Sequence, residues 1–423
     1  MGVCSTRTFA VLALLGSLTA TVPVWAQEAG ALQEVVVTAQ KREENLQQTP
    51  VSMEAITSEE VLRLGITNVA SLTNAVPDLH IMPFGSASTT LEVFIRGVGQ
   101  VDSQVTEDSP VGIYLNGVYI ARPVGLGTDI ADIDRIEVLR GPQGTLYGRN
   151  TTGGAINILT TKPLNTFGAS ELVTAGNYGA WRSQTILNLP VTDTLAVRGV
   201  FDWNKRDGWL TNNGLGQDFS AYNQQSGRFD MRWRPSDSID VDYSYDRSKN
   251  VYTSDYYHLT EPSPAFSFLP AQPDRLGQTT LPNPYMDSND LIWGHTLTVT
   301  IGTRIGEVKS ISAYRETHSY NYQDYSANTS LAIYRNDPII ISQHQVSEEL
   351  QLVGSTPSKQ FDYIAGLYFF KEGADSDDTD KVDIVPVDVH NFVSANNKTY
   401  AAYGQLTWRP SAQSPWAVTV GAR

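Results

Sequence analysis

The stretch Arg135–Pro163, "RIEVLRGPQGTLYGRNTTGGAINILTTKP", sets an apolar alternation against a run of five glycines, with Arg140 just before the run and Arg149 within it. Glycine suits tight turns and close backbone approach, so turns are the plain reading of such a run. A nucleotide-binding loop would need a lysine and a hydroxyl directly after the last glycine, to reach the phosphates and hold magnesium. No lysine follows Gly144, Gly148 or Gly154 in that spacing. The meaning of the stretch has to come from the chain on either side of it.

The N-terminus has the three parts of an export signal: Arg7, an apolar core over 9–20, and small residues Val24 and Ala26 before a cleavage point near Gln27. That core is well short of the roughly 20 residues a spanning helix needs. The single cysteine, Cys4, lies within the signal, so the exported chain is expected to have neither disulfides nor thiolate chemistry. Formal net charge is −15, which argues against nucleic acid as a partner, since phosphate binding relies on clustered Lys and Arg.

Residues 27–50 read as a polar periplasmic arm containing a small β-prone island, Val35-Val36-Val37-Thr38-Ala39. Such a peptide suits addition to the edge of a partner's sheet. Residues 51–163 read as an α+β domain. Helical spacing runs over 58–68 with Ser58 as cap, and continues over 69–76. Strands are expected at 91–96, 111–115 and 135–139, with loops at 84–90, 99–110 and 121–128. Asn116-Gly117 is a two-residue hairpin turn.

Beyond Pro163 the texture changes to strict period two. Ile239, Val241, Tyr243 and Tyr245 oppose Asp240, Asp242, Ser244 and Asp246; Leu297, Val299 and Ile301 oppose Thr296, Thr298 and Thr300. About eleven such segments follow one another. A soluble sandwich would alternate too. The connections decide, because short turns (190–193, 235–237, 302–306, 354–359, 410–415) alternate with long loops (204–226, 247–291, 319–342, 372–398). Short turns at one rim and long loops at the other belong to an outer-membrane barrel. Trp181, Trp203, Trp233, Trp293, Trp408 and Trp416 fall near strand ends, where amphipathic rings suit the membrane boundary.

Taken in order, "EVVVTA", "KREENLQQTPVS", "FIRGVG", "VGIYLNGVYIAR" and the opening stretch resemble the N-terminal half of a TonB-dependent outer-membrane receptor. The resemblance is dense from Glu34 to Pro163 and rests on pattern alone after that. It implies a membrane β-barrel of 22 strands enclosing an N-terminal α+β plug, with residues 164–423 supplying about 11 of those strands and roughly 260 further residues completing it.

It also implies uptake of a scarce nutrient, most simply a ferric siderophore, powered by TonB gripping Val35 to Ala39. The implied partners are TonB, outer-membrane lipid and a small-molecule ligand, with no cofactor, no metal ligand and no catalytic residue. The glycines at 141, 144, 148, 153 and 154 would let the plug turn tightly against the lumen wall. Arg96 and Arg140 resemble the plug arginines that meet barrel carboxylates; Glu349 in "SEELQL" is the implied partner and Glu348 the fallback. Where the family often has a glutamate, this chain has Gln405. Plug residues Phe84 and Arg122 and loop residues Tyr252, Tyr256 and Tyr257 are candidate ligand contacts.

Only about eight residues separate the cleavage point from the TonB-box-like peptide, so a separate periplasmic signalling domain is not expected. Uptake of a carbohydrate, vitamin or aromatic compound, or a truncated product with no transport activity, are the alternatives. An exported enzyme fits worst: His80, His258, His295, His318, His344 and His390 are scattered, with no HExxH, GxSxG or paired-carboxylate pattern.

Overall fold

The computed structural model describes residues 35–423 except 86, 130, 215, 263, 265, 266, 274, 282–286, 327–332, 386 and 412. The export signal and the start of the arm therefore lie outside the described residues.

Two short strands, β1 (Val36–Val37) and β2 (Glu44–Asn45), pair antiparallel at the start. The chain then enters β3 (Met53–Thr57) and the roughly two-turn helix α1 (Ser58–Leu64). The cap is Thr57, one residue before the expected Ser58: its hydroxyl takes the Glu60 N–H while Glu60 reaches back to the Thr57 N–H. Gly65, at φ 65°, stops the helix. The helical spacing beyond it is broken, and residues Val69–Asn74 form a 3-10 helix instead.

Strands β4 (Leu79–Phe84), β5 (Ala87–Ile95) and β6 (Val98–Gly99) make a small antiparallel sheet. The expected loop at 84–90 is thus mostly strand. Then come β7 (Val111–Leu115), β8 (Val118–Ile120), β9 (Ile133–Arg140) and β10 (Gly154–Thr160). With β3 they form a five-stranded sheet in the order β3-β9-β10-β7-β8. Asn116 and Gly117 both take positive φ, as the tight hairpin between β7 and β8 requires. The glycine run is the connection from β9 to β10, and the two strands close on each other from Gly154 opposite Arg140. A Cβ on Gly154 would sit 2.3 Å from the Leu139 carbonyl, so the run serves close backbone approach.

The plug core lies between this sheet, α1 and the small sheet. Leu72, Ile136, Val138 and Ile156 are fully buried there.

From residue 168 onward the chain forms one eleven-stranded antiparallel sheet whose strands follow in sequence order. They are β11 (Gly168–Ala175), β12 (Trp181–Pro190), β13 (Leu195–Arg206), β15 (Tyr222–Ser236), β16 (Ile239–Tyr252), β18 (Ser288–Thr303), β19 (Gly306–Asp324), β20 (Tyr334–Ser355), β21 (Phe361–Val382), β22 (Val387–Trp408) and β23 (Val418–Ala422). β14 (Thr211–Asn212) and β17 (Gln278–Thr279) pair with each other in the long loops.

Val299 lies opposite Val241 and Leu297 opposite Tyr243, so the apolar sets share the outward face. Two of the expected long loops, at 319–342 and 372–398, are largely strand: β19 to β22 run 19 to 22 residues, about twice what a membrane crossing needs. Among the described residues no helix is long and apolar enough to cross a membrane.

Candidate functional site: the plug against the barrel wall

The sheet's inward positions meet the plug along a polar seam. At its lower end lies the β-prone peptide. Val37 and Ala39 are buried, the Thr38 N–H donates to Glu137 Oε1 at 2.7 Å, and only Val36 of the pair in β1 is well exposed. The residues that follow bind the wall directly. Lys41 Nζ lies 3.4 Å from Glu349 Oε2, Arg42 3.1 Å from Asp362, and Gln405 donates to Gln40 at 3.4 Å.

Glu349 faces inward, and its other oxygen accepts from the Tyr403 hydroxyl at 2.5 Å. Glu348, one residue earlier, faces outward and accepts from Ser310 and Ser312. Period two separates the two carboxylates.

The expected pairing of Arg96 and Arg140 with Glu349 is not the one formed. Arg96 Nη2 donates to Ser52 Oγ at 3.0 Å, and Arg140 is paired with Glu54. Both arginines find acceptors on the chain leading into and along β3, the plug's own edge, while Glu349 is already engaged by Lys41 and Tyr403.

Higher on the seam the partners reverse sign. Asp132 of the plug, at φ 58°, is held by two wall arginines: Arg198 lies 2.6 Å from Oδ1 and Arg228 2.7 Å from Oδ2. Asp129 accepts from Asn204 at 2.6 Å, and burial pushes its carboxyl up to about 6. Thr89 Oγ1 donates to Asp290 at 2.5 Å.

Arg122, expected at the ligand, is instead the centre of the strongest contact. Its Nε and Nη2 meet the two Glu372 oxygens at 2.7 and 2.8 Å, and Nη1 donates to the Glu107 carbonyl at 2.7 Å. Arg122 is 4% exposed and Glu372 fully buried, with Gln343 and Asn397 also donating to Glu372. Beside it Gln345 accepts from the Ala121 N–H and donates to the Tyr119 carbonyl at 2.6 Å, capping the free edge of β8. Between the Asp132 and Arg122 contacts lies a cavity of about 140 Å³, apolar on the plug side (Leu115, Ile120, Leu126) and lined by Arg228, Arg315 and Gln343 on the wall.

Tyr252 is also withdrawn from a ligand, being 1% exposed with its hydroxyl given to Asn321. Tyr256 packs edge-on to Phe219 and accepts from Gln272. Tyr257 is exposed and stacks on Tyr325 with centroids 5.2 Å apart, and Tyr325 faces Tyr334 at 5.5 Å. The turn after Phe84 reaches this corner: a Cβ on Gly85 would lie 2.8 Å from the Tyr325 hydroxyl. Of the expected ligand contacts, Phe84 and Tyr257 are thus brought together at the top of the plug. Nearby Glu92 has its carboxyl raised by burial and by Asp102.

Lys41, Arg42, Asp132, Gln345 and Glu372 were not foreseen as seam residues. The wall members carry one signal in the sequence, since each is a polar residue at an inward position of a period-two strand.

A small plug sheet held by ion pairs against a long sequential antiparallel wall is a plug-and-wall architecture, here with eleven wall strands. Residues 45–155 match the TonB-dependent Receptor Plug Domain family. The chain is 26% identical over 273 residues to the vitamin B12 transporter BtuB of Vibrio vulnificus, covering 58% of this chain and 43% of that protein. It is 29% identical over 231 residues to the pesticin receptor of Yersinia pestis, covering 53% and 33% respectively.

Among solved structures, the ferric yersiniabactin uptake receptor FyuA from Yersinia pestis superposes with a TM-score of 0.72 at 22% identity, over 85% of this chain and 54% of that one. The ferripyoverdine receptor of Pseudomonas aeruginosa gives the same TM-score at 12% identity, over 93% and 54%. The chain thus carries a match to a TonB-dependent receptor plug domain and shares its fold with these receptors, and it spans about half the length, or less, of these relatives.

Proposed function

We propose that this chain forms the plug and eleven wall strands of a receptor in the outer membrane of a Gram-negative bacterium, a transporter and not an enzyme. It takes up a scarce nutrient with energy delivered through TonB. The observation that carries this is the seam: a folded plug meets the inward side of the wall through many separate polar contacts, and those of the arm at residues 40–42 are long or single and can be remade. Val35 to Ala39 are the TonB contact. Val36 is presented and Val37 paired in a two-residue strand, which a partner's sheet edge can replace.

The ligand we favour is a ferric siderophore. Relatives carrying such names recur, among them the ferric enterobactin receptor PirA of Pseudomonas aeruginosa, while the B12 transporter keeps a vitamin as the alternative. Phe84 and Tyr257 are the proposed ligand contacts, since aromatic faces suit an amphipathic chelate. The test uses the full-length receptor supplied with radioiron as ferric enterobactin or ferric yersiniabactin, and with labelled cobalamin. Val36→Pro removes a ladder hydrogen bond and should abolish import while leaving surface binding intact. Import by that variant at the unmodified rate would refute TonB coupling through this peptide.

A further inference from the structure

If the chain works as an uptake receptor, the reading on which this inference rests, its plug must yield to a pull without leaving the barrel. The two edges of the plug's main sheet are held unequally. β3 is one edge, and the peptide to be pulled leads into it. The ties of residues 40–42 to the wall are long or single, at 3.4, 3.4 and 3.1 Å.

β8 is the opposite edge, and Arg122 follows it. There a bidentate pair at 2.7 and 2.8 Å joins two buried side chains, so neither charge can fall back on water if the pair parts. Gln345 binds the same edge through two main-chain groups. Force entering at residues 35–39 meets the Thr38–Glu137 bonds and the arm contacts to the wall first and the β3–β9 pairing next. The β8 edge lies on the far side of β9, β10 and β7.

We propose that Arg122 on Glu372 is the retaining anchor of the plug, holding its far edge to the barrel wall while the near edge is drawn away. Both are positioning residues: they fix the plug and do not meet ligand. The pair differs in place and partners from the Arg96, Arg140 and Glu349 set, and it is independent of how the arm is released.

The experiment places Glu372→Gln in the full-length receptor and measures killing by vancomycin, a molecule too large for an intact outer membrane, in cells with and without TonB. Sensitivity should rise about tenfold only where TonB is present, because an anchor stripped of its charge fails under load. Gln345→Ala, which spares the ion pair, should give a smaller rise with the same dependence and serves if Glu372→Gln does not assemble. Crosslinking cysteines placed at Ala121 and Gln345 in the Glu372→Gln receptor should restore exclusion; the sole native cysteine, Cys4, lies in the export signal.

Equal sensitisation with and without TonB, or none in either, overturns the anchor. Failure of the uptake reading would show separately, as radioiron import indifferent to TonB.

Discussion

In β9 of the plug, Ile136, Val138 and Leu139 are fully buried, whereas in β18 of the wall Leu297 and Ile301 are each 40% exposed. Both strands are rich in β-branched and aliphatic residues, yet they solvate opposite faces. The plug buries its apolar residues inside, as a domain bathed in water does. The wall is the reverse: Asp202, Arg315 and Glu349 point to the lumen and are nearly covered, while its apolar row is left for lipid. Alternation therefore gives the faces of a strand and leaves open which one is wet; what surrounds the strand settles that.

This contrast can be broken most sharply in the plug core. Ile136→Ala should cost about 2 to 5 kcal/mol, through lost burial and a cavity that β3 and β10 cannot close. Denaturant unfolding followed by exposure of the plug to protease would read it, and an unchanged midpoint would mean that this sheet is not the core.

Next comes the wall. Val299→Arg should cost about 2 to 4 kcal/mol if that face meets the bilayer midplane, measured by refolding of the full-length receptor into lipid. A variant that assembles as well as the unmodified protein would turn the wall's faces around.

The seam between the two regions gives a pH test. The Asp129 carboxyl is raised by burial from 3.8 to about 6, so the docked plug binds its proton more tightly than the unfolded chain does. Stability should rise as pH falls through 6 toward 4, and at neutral pH the buried charge costs at most about 3 kcal/mol, being 1.36 kcal/mol for each of about two units. Asp129→Asn keeps an acceptor for Asn204 and should flatten that part of the profile. A melting temperature with the same rise between pH 7 and 5 in both proteins would remove Asp129 from the account.

The smallest effect belongs to Leu297→Ala, about half a kcal/mol, because the lost side chain leaves lipid contact and no cavity. A loss as large as that of Ile136→Ala would show that a partner covers this face.

Much of this architecture was legible from residues. Eleven strands follow from period two, and the turns at 302–306 and 354–359 from glycine, proline and polar clusters. The tall strands β20 to β22 were not, because "DSDDTD" has no apolar alternation once a strand leaves the membrane; ladder hydrogen bonds to both neighbours hold it extended. The identity of individual partners was the least legible. Arg122 and Arg140 carry the same charge, and only the fold shows that one reaches across to Glu372 and the other to Glu54 in the plug itself. Inward position marks a residue as a seam candidate, but pairing depends on the height of each plug loop against a wall strand, which local sequence does not encode.

The strictly sequential order of the wall strands bears on how the molecule is made. Every long wall strand after the first pairs with the long strand just before it, so most pairings close only a short loop at small entropy cost, the connection from Tyr252 to Ser288 being the long exception. The plug is different: β3 must find β9 some 80 residues later, as with Met53 opposite Leu139. Low contact order lets a chain zip hairpin by hairpin, while distant pairing is slow. The wall can thus grow by addition at one moving edge, and the plug sheet, which needs β9 before its first strand can settle, sets the slower step of maturation.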